Sequence, residues 1–302
     1  MKSANTKLKE ECSIDIHMLG SKSYENTNTN YGDCFLVIDG RDAVIYDCGS
    51  EEHARKAIEI LDNAGIEKAV VILSHNDDDH FKGIPYLIEE GRVEKLFTVL
   101  LLKYKDQLLD KIDDGRRNRD SIGRAIKEKY DNIASLSGSV KLRDVYEDVD
   151  ELPSCAKFVG PDFDYMIEAA AKGLDGREGN TIDLETVTNA ASVQIRIQFG
   201  SEKLLLTGDC TPTAIPEDEK LRTYKYIQLP HHGKAELAEQ IFDRTYPSNS
   251  IVFLVSDNTG NTNGGSDKLK SKGHNVKNTK VDGTIKLKSG SSSSTYVSKL
   301  GV

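Results

Sequence analysis

Apolar and polar positions fall into short blocks from the first part of the chain onward. Ile14 to Leu19, Cys34 to Ile38 and Ala43 to Tyr46 each read as a strand, the last two separated by a turn-like Asp39-Gly40, so the pattern predicts a β-meander. From Glu51 to Ala64 the spacing changes to a helical one, with Ala54, Ala57, Ile58 and Leu61 recurring on one face and Gly65 placed to end the helix. The runs Ala69 to Leu73 and Phe97 to Leu102 have the length of buried strands, and a helix is expected from about Ile84 to Glu90.

The second half repeats this vocabulary. Asp106 to Ser135 reads as helical, with strands at Val140 to Leu142 and Lys157 to Val159 and a helix from Tyr165 to Ala171. Gly173 to Asn180 is a polar, glycine-containing loop. Ser192 to Phe199, the turn Gly200-Ser201 and Lys203 to Thr207 form a hairpin, followed by strands Tyr226 to Leu229 and Ile251 to Val255. Asp257 to Asn275 is loop-like, Thr284 to Lys288 is a last strand, and the serine-rich Ser289 to Ser294 is a tail. Two β-rich halves with helices outside predict an α/β fold, an αββα sandwich of two sheets packed face to face. The expectation is one domain over 1–302 with a partly helical insertion at about 104–137.

Composition narrows the class. With 37% hydrophobic and 29% charged residues, the 302-residue chain is globular rather than disordered. No apolar run approaches the roughly 20 residues that cross a bilayer, and no apolar stretch follows the N-terminus, so neither a membrane span nor a signal peptide is expected and the location expected is cytoplasmic. Five cysteines without a CxxC pair argue against a disulfide framework or a zinc knuckle. A formal net charge of −9 means that nucleic acid would have to be met by a local basic patch. Arg116, Arg117, Arg119, Arg124, Lys127 and Lys129 offer one, although their interleaving with acidic residues is also the pattern of a solvated helix face.

The chemistry is concentrated where apolar strands end. Ala69 to Leu73 runs into Ser74-His75-Asn76-Asp77-Asp78-Asp79-His80-Phe81-Lys82-Gly83, in which candidate metal ligands stand at His-x-Asp-x-Asp-His spacing. So many carboxylates and imidazoles packed together repel unless a cation offsets them; an acidic surface turn is the plain alternative. Lys203 to Thr207 ends in Gly208-Asp209-Cys210, and Tyr226 to Leu229 ends in Pro230-His231-His232-Gly233. Three such endings in one chain favour a metal site.

These motifs resemble those of the metallo-β-lactamase superfamily, and within it the branch related to the competence protein ComEC. The resemblance also takes in Gly32-Asp33-Cys34-Phe35-Leu36-Val37, Ile45-Tyr46-Asp47-Cys48-Gly49, Asn189-Ala190-Ala191-Ser192-Val193 and the closing stretch Asn278 to Leu287. It implies that Asp79, His80 and either His231 or His232 hold one metal. His75 and Asp77, with Asn189 as a further candidate, would hold a second, with Asp209 bridging the two and Asp47 orienting ligands by hydrogen bonds. Of the two adjacent histidines, His231 is nearer the strand end and is favoured on that ground. Asp79 and Asp209 would be the catalytic carboxylates. Asp77 stands where the superfamily usually has a histidine, which makes one site richer in oxygen and favours Mn²⁺ or Mg²⁺ there relative to an imidazole-rich zinc site. The cofactors implied are two divalent ions, Mn²⁺ or Zn²⁺ with Mg²⁺ as a further candidate.

The first functional reading is a phosphodiesterase or nuclease acting on DNA, with Lys82, Lys234, Arg117 and Arg124 as candidate phosphate contacts. For Lys82 and Lys234 the solvated surface lysine is the plainer reading. The alternatives are a small-molecule hydrolase of a lactone, thioester or cyclic nucleotide, and a module with a structural metal that depends on a protein partner. Cys48 and Cys210 read as small buried hydrophobes, and His17, His53 and His274 match no motif.

Overall fold

In the computed structural model, residues 14–25, 29–112, 119–175, 179–246, 250–256, 269 and 273–287 are described. The meander forms as its alternation dictates: β1 (Ile14–Met18), β2 (Phe35–Asp39) and β3 (Asp42–Tyr46) pair antiparallel in sequence. Phe35 and Val37 of β2 point into the core between two sheets, whereas Leu36 between them packs in the layer beneath the first helix. That helix, α1 (Glu51–Ala64), begins where the Ser50 side chain accepts the His53 amide and ends at Gly65 with φ 69°. It lays Ala54, Ala57 and Leu61 on the sheet.

After β4 (Ala69–Ile72) come the one-turn α2 (Asp78–Phe81) and α3 (Ile84–Glu89), then β5 (Val93–Thr98). Helices α4 (Lys105–Lys111), α5 (Arg119–Lys129) and α6 (Asp131–Ala134) precede β6 (Lys141–Asp144). Next are β7 (Ala156–Gly160), α7 (Phe163–Asp175), the small hairpin β8 (Thr181–Ile182) and β9 (Glu185–Thr186), and α8 (Val187–Ala190). The chain continues through β10 (Gln194–Phe199), β11 (Glu202–Leu206), β12 (Tyr226–Gln228), the turn α9 (Pro230–Gly233), α10 (Ala235–Thr245), β13 (Val252–Val255), β14 (Val276–Asn278) and β15 (Ile285–Leu287).

Two sheets result, ordered β15-β1-β2-β3-β4-β5-β6 and β14-β13-β12-β11-β10-β7. Ile16, Val44, Ile72 and Phe97 from one meet Ile195, Phe199, Leu206 and Leu254 from the other. Helices α1 and α3 cover the outer face of the first sheet and α10 that of the second, while α4, α5 and α7 pack on one another through Leu108, Ile126 and Met166. This is the expected αββα sandwich. In both sheets the middle is parallel: β3 with β4 and β5, and β11 with β12 and β13. The carboxyl ends of parallel strands gather on one rim, where such folds place ligands.

Several boundaries differ from expectation. The strand expected at Phe97 to Leu102 instead spans Val93–Thr98. The Leu100 amide is taken by Asp144 Oδ2 at 2.7 Å, which turns the chain out of the ladder. The helix expected to stop at Ala171 runs to Asp175 and includes Gly173. A side chain at Gly173 would stand 2.4 Å from Val187, so glycine here permits close helix packing rather than marking a loop. Arg116, Arg117, most of Asp257 to Asn275 and the serine-rich tail lie outside the described residues. Among the described residues no helix is long and apolar enough to cross a membrane.

Candidate metal centre

Five strand ends deliver the site. β3 runs into Asp47, β4 into Ser74 and His75, β11 into Asp209, β12 into His231 and His232, and β13 into Ser256. The approach is close. A Cβ on Gly32 would lie 1.7 Å from the Asp79 carbonyl oxygen and one on Gly49 2.0 Å from it, so both positions require glycine. Asp47, His231 and His232 hold left-handed backbone conformations, with φ of 56°, 50° and 52°. Each costs on the order of 1–2 kcal/mol for a residue with a Cβ, a cost the surrounding structure must offset.

His80 is the hub. Its side chain is fully buried, Nδ1 lies 2.8 Å from Asp47 Oδ2, and Nε2 lies 3.3 Å from Asp209 Oδ1. Asp47 is itself fixed by the Ser74 amide and hydroxyl, both at 2.7 Å. With Asp47 as acceptor for an Nδ1 proton, the neutral ring that binds an ion would direct its Nε2 lone pair into the cluster. His75 is arranged likewise, with Nδ1 against the hydroxyls of Ser74 at 2.9 Å and Ser192 at 3.2 Å. The side chain of His232 spans from Ser256 Oγ at 2.9 Å to Asp79 Oδ2 at 3.0 Å, and Asn30 also donates to Asp79 Oδ2 at 2.8 Å.

Three groups of side chains offer ligand atoms within 4.8 Å of one another: His75, His80 and Asp209; Asp79, His80 and His232; and Asp33, Asp47 and His80. Nε2 of His75, Nε2 of His80 and Oδ1 of Asp209 are buried and make no hydrogen bond. Buried nitrogen and oxygen atoms without a partner fit a cation and are costly without one.

The electrostatics point the same way. Burial alone would depress His80 and His232, but Asp209, Asp47 and Asp33 around the first and Asp33, Asp79 and Asp209 around the second raise both well above the ordinary imidazole range. Burial opposes ionisation of Asp79 and Asp209, yet their histidine neighbours hold both below the usual carboxylate range. The cluster is therefore a sink for positive charge. His75 differs: burial, then the neighbouring His80, pushes it down to about 4, leaving it a neutral imidazole suited to ligation.

The residues singled out by sequence divide into those the fold gathers and those it does not. His75, Asp79, His80, Asp209 and His232 converge, and Asp47 contacts His80 from behind. Asp77 stands at the rim, its carboxylate 3.7 Å from His75 and its side chain 48% exposed. His232, not the favoured His231, lies with Asp79 and His80; the left-handed turn at 231–232 sets His231 Nδ1 against Glu185 at 2.8 Å and its Nε2 3.8 Å from Asp209. Asn189 donates its amide nitrogen toward Glu185 at 3.3 Å and Asp209 at 3.4 Å, and its oxygen accepts from Thr186 at 2.7 Å. It thus steadies Asp209 instead of turning an oxygen into the cluster.

The candidate phosphate contacts are not gathered at the centre. Lys82 pairs with Asp78 at 2.8 Å on the exposed surface, and Lys234 is held by Glu185 at 2.6 Å. Arg124 is exposed on α5, and Arg117 lies outside the described residues. Three residues were not singled out in sequence. Asp33 is fully buried, 3.4 Å from His232 Nδ1, and accepts from Gln228. Gln228 in turn accepts the amides of Thr207 and Gly208 at 2.9 and 3.3 Å, linking the Asp209 turn to the opposite sheet. Glu185 contacts both His231 and Lys234.

Comparisons with known proteins agree with this architecture. Residues 27–148 match the family model of the metallo-β-lactamase superfamily. The metallo-β-lactamase fold protein YhfI from Bacillus subtilis is similar in structure, with a TM-score of 0.52 at 13% identity over 92% of this chain and 100% of that one. A diphosphatase of the PhnP family gives a TM-score of 0.49 at 14% identity over 91% and 98%. Zn²⁺-bound PqqB from Methylobacterium extorquens gives 0.45 at 14% identity over 91% and 100%. At 13% identity the likeness to YhfI shows the fold alone. No curated protein sequence matches the chain significantly.

Proposed function

We propose that this chain, with its metallo-β-lactamase fold, is a metal-dependent hydrolase of phosphoesters, with the phosphodiester bond of DNA as the first substrate to test. The observation that carries the reading is the convergence of buried, unpaired His75, His80 and Asp209 atoms beside Asp79 and His232. Nε2 of His80 can serve only one ion. Two of the donor groups share that atom, and the family resemblance implies the division between them: Asp79, His80 and His232 for one ion, His75 with the rim carboxylate Asp77 for a second, and Asp209 between them. A pair of divalent ions there would supply Lewis acidity and a water of lowered pKa.

The chain's own residues set the conditions for that chemistry. Asp47 and Ser74 fix the His80 ring, and Asn189 and Ser192 fix the Asp209 side of the cluster. Asp79, tethered by Asn30 and His232 and 31% exposed, is the ligand carboxylate facing the rim, where it can orient an incoming water. The oxygen-rich donor set suits Mn²⁺ or Mg²⁺ as well as Zn²⁺. The test is cleavage of supercoiled DNA and of bis(p-nitrophenyl) phosphate with each ion, beside Asp209→Ala. Ion-dependent cleavage lost in the variant supports the reading; no cleavage of either substrate with any ion rejects it.

A second reading, hydrolysis of a small lactone or thioester at the same centre, is favoured by one observation. A cavity of 40 Å³ with a largely apolar wall, including Val99, Met166 and Val187, opens beside His75. Turnover of such substrates with no phosphoester cleavage would select it.

A further inference from the structure

The same cavity carries a residue that none of the strand-end motifs contains. Lys129, at the C-terminal end of α5, lines it together with Tyr130, His75 and Asn76. The position is enforced. The Asn76 side chain donates to the Lys129 carbonyl at 3.2 Å, which ties the end of α5 to the ligand loop itself. On the far side, the Lys129 ammonium runs over Gly173 of α7, close enough that a Cβ there would stand 3.1 Å from Nζ. A side chain at Gly173 would crowd the ammonium as well as Val187.

Lys129 also differs in pairing from the lysines that flank the motifs. Lys82 and Lys234 are bonded to Asp78 and Glu185. Among the described residues the Lys129 ammonium has no hydrogen-bonded carboxylate, although it is half-buried. Burial works against its charge, and the Asp77 carboxylate, itself a candidate ligand at the rim, favours it. A desolvated ammonium beside a cation centre is repelled by the bound ions unless an anion lies between them. The cavity is the place for that anion.

We propose that Lys129 binds an anionic oxygen of the substrate at this cavity, while the apolar wall takes a compact substituent. This inference rests on the phosphoester reading for the identity of the anion. It makes Lys129 a substrate-contacting residue outside the ligand set, and Gly173 and Asn76 its positioning residues.

The test is calorimetric titration of phenyl phosphate into metal-loaded wild-type protein, Lys129→Met and Lys129→Arg, with metal content measured on each. Methionine keeps the length and apolar character of the stem, so folding is preserved while the charge is removed. The expected result is affinity weakened by about tenfold or more in Lys129→Met, as for loss of one charge-assisted hydrogen bond, largely kept in Lys129→Arg, with unchanged metal content. Equal affinity in wild type and Lys129→Met overturns the assignment, as does absence of phenyl phosphate binding by wild type. Hydrolysis of bis(p-nitrophenyl) phosphate and p-nitrophenyl acetate separates the two claims. A rise in KM for the first alone in Lys129→Met supports Lys129. Phosphodiester turnover with unchanged KM removes Lys129 but keeps the phosphoester reading. Binding that depends on Lys129 without any phosphodiester turnover removes that reading and keeps the anion site.

Discussion

Replacing Asp47 with asparagine tests how the centre is held, because the change is nearly isosteric and the backbone accepts it. Asp47 has φ 56°, a conformation asparagine tolerates better than most residues. In the wild type, Oδ1 accepts the Ser74 amide at 2.7 Å, and Oδ2 accepts the Ser74 hydroxyl at 2.7 Å and His80 Nδ1 at 2.8 Å. An amide nitrogen in the Oδ1 position would face the buried Ser74 N–H, donor against donor, at about 1–3 kcal/mol. The amide therefore settles with its nitrogen toward His80. There it donates to Nδ1 and drives the proton to Nε2, the atom that would ligate the ion. Loss of such a supporting carboxylate typically weakens metal affinity by about 10–100-fold, or roughly 1.4–2.7 kcal/mol. Competition against a chromophoric chelator measures this, with circular dichroism confirming the fold. Equal metal affinity in Asp47→Asn and wild type would refute the tautomer argument.

Two further predictions concern stability. Gly32→Ala places a methyl group 1.7 Å from the Asp79 carbonyl at φ 74°, so it should cost several kcal/mol and lower the melting temperature markedly; near-wild-type melting would show that the strand end can shift freely. His17 is buried in β1 with its Nδ1 unpaired, and burial together with Lys286 lowers its pKa. The unfolded chain then takes up the proton first, so this position loses stability as pH falls below about 6.5. His17→Gln should gain melting temperature relative to wild type between pH 7.5 and 5.5, and a pH-independent difference would exclude the effect.

Much of the fold is legible in the sequence because both faces of most strands are buried. That produces compact apolar blocks such as Ala69 to Leu73, and α1 declares itself by its spacing and by Gly65. The ligand loop is legible because its residues are contiguous. α10 carries an equally clear signal in Leu237, Ala238, Ile241 and Phe242, which attention to strand endings alone passes over. Asp33 stands in one of the motifs, but its contact with Gln228 was beyond reach, because the two lie 195 positions apart and meet only when the two sheets pack. That His232 rather than His231 lies beside Asp79 and His80 depends on two left-handed residues in succession, a geometry that strand proximity does not reveal. Lys129 falls within a mixed-charge run whose pattern equally describes a solvated helix, and only the packing of α5 against Asn76 and Gly173 separates it from its neighbours.

The central claim is that His80 anchors a metal centre, since each of the three donor groups includes it. The most direct measurement is metal content by mass spectrometry after equilibration with Zn²⁺ or Mn²⁺ and removal of free ion, comparing wild type with His80→Ala. The account predicts one or two ions per wild-type chain and near-complete loss in the folded variant. Equal occupancy in the two proteins, or a wild type that retains no ion, would contradict it.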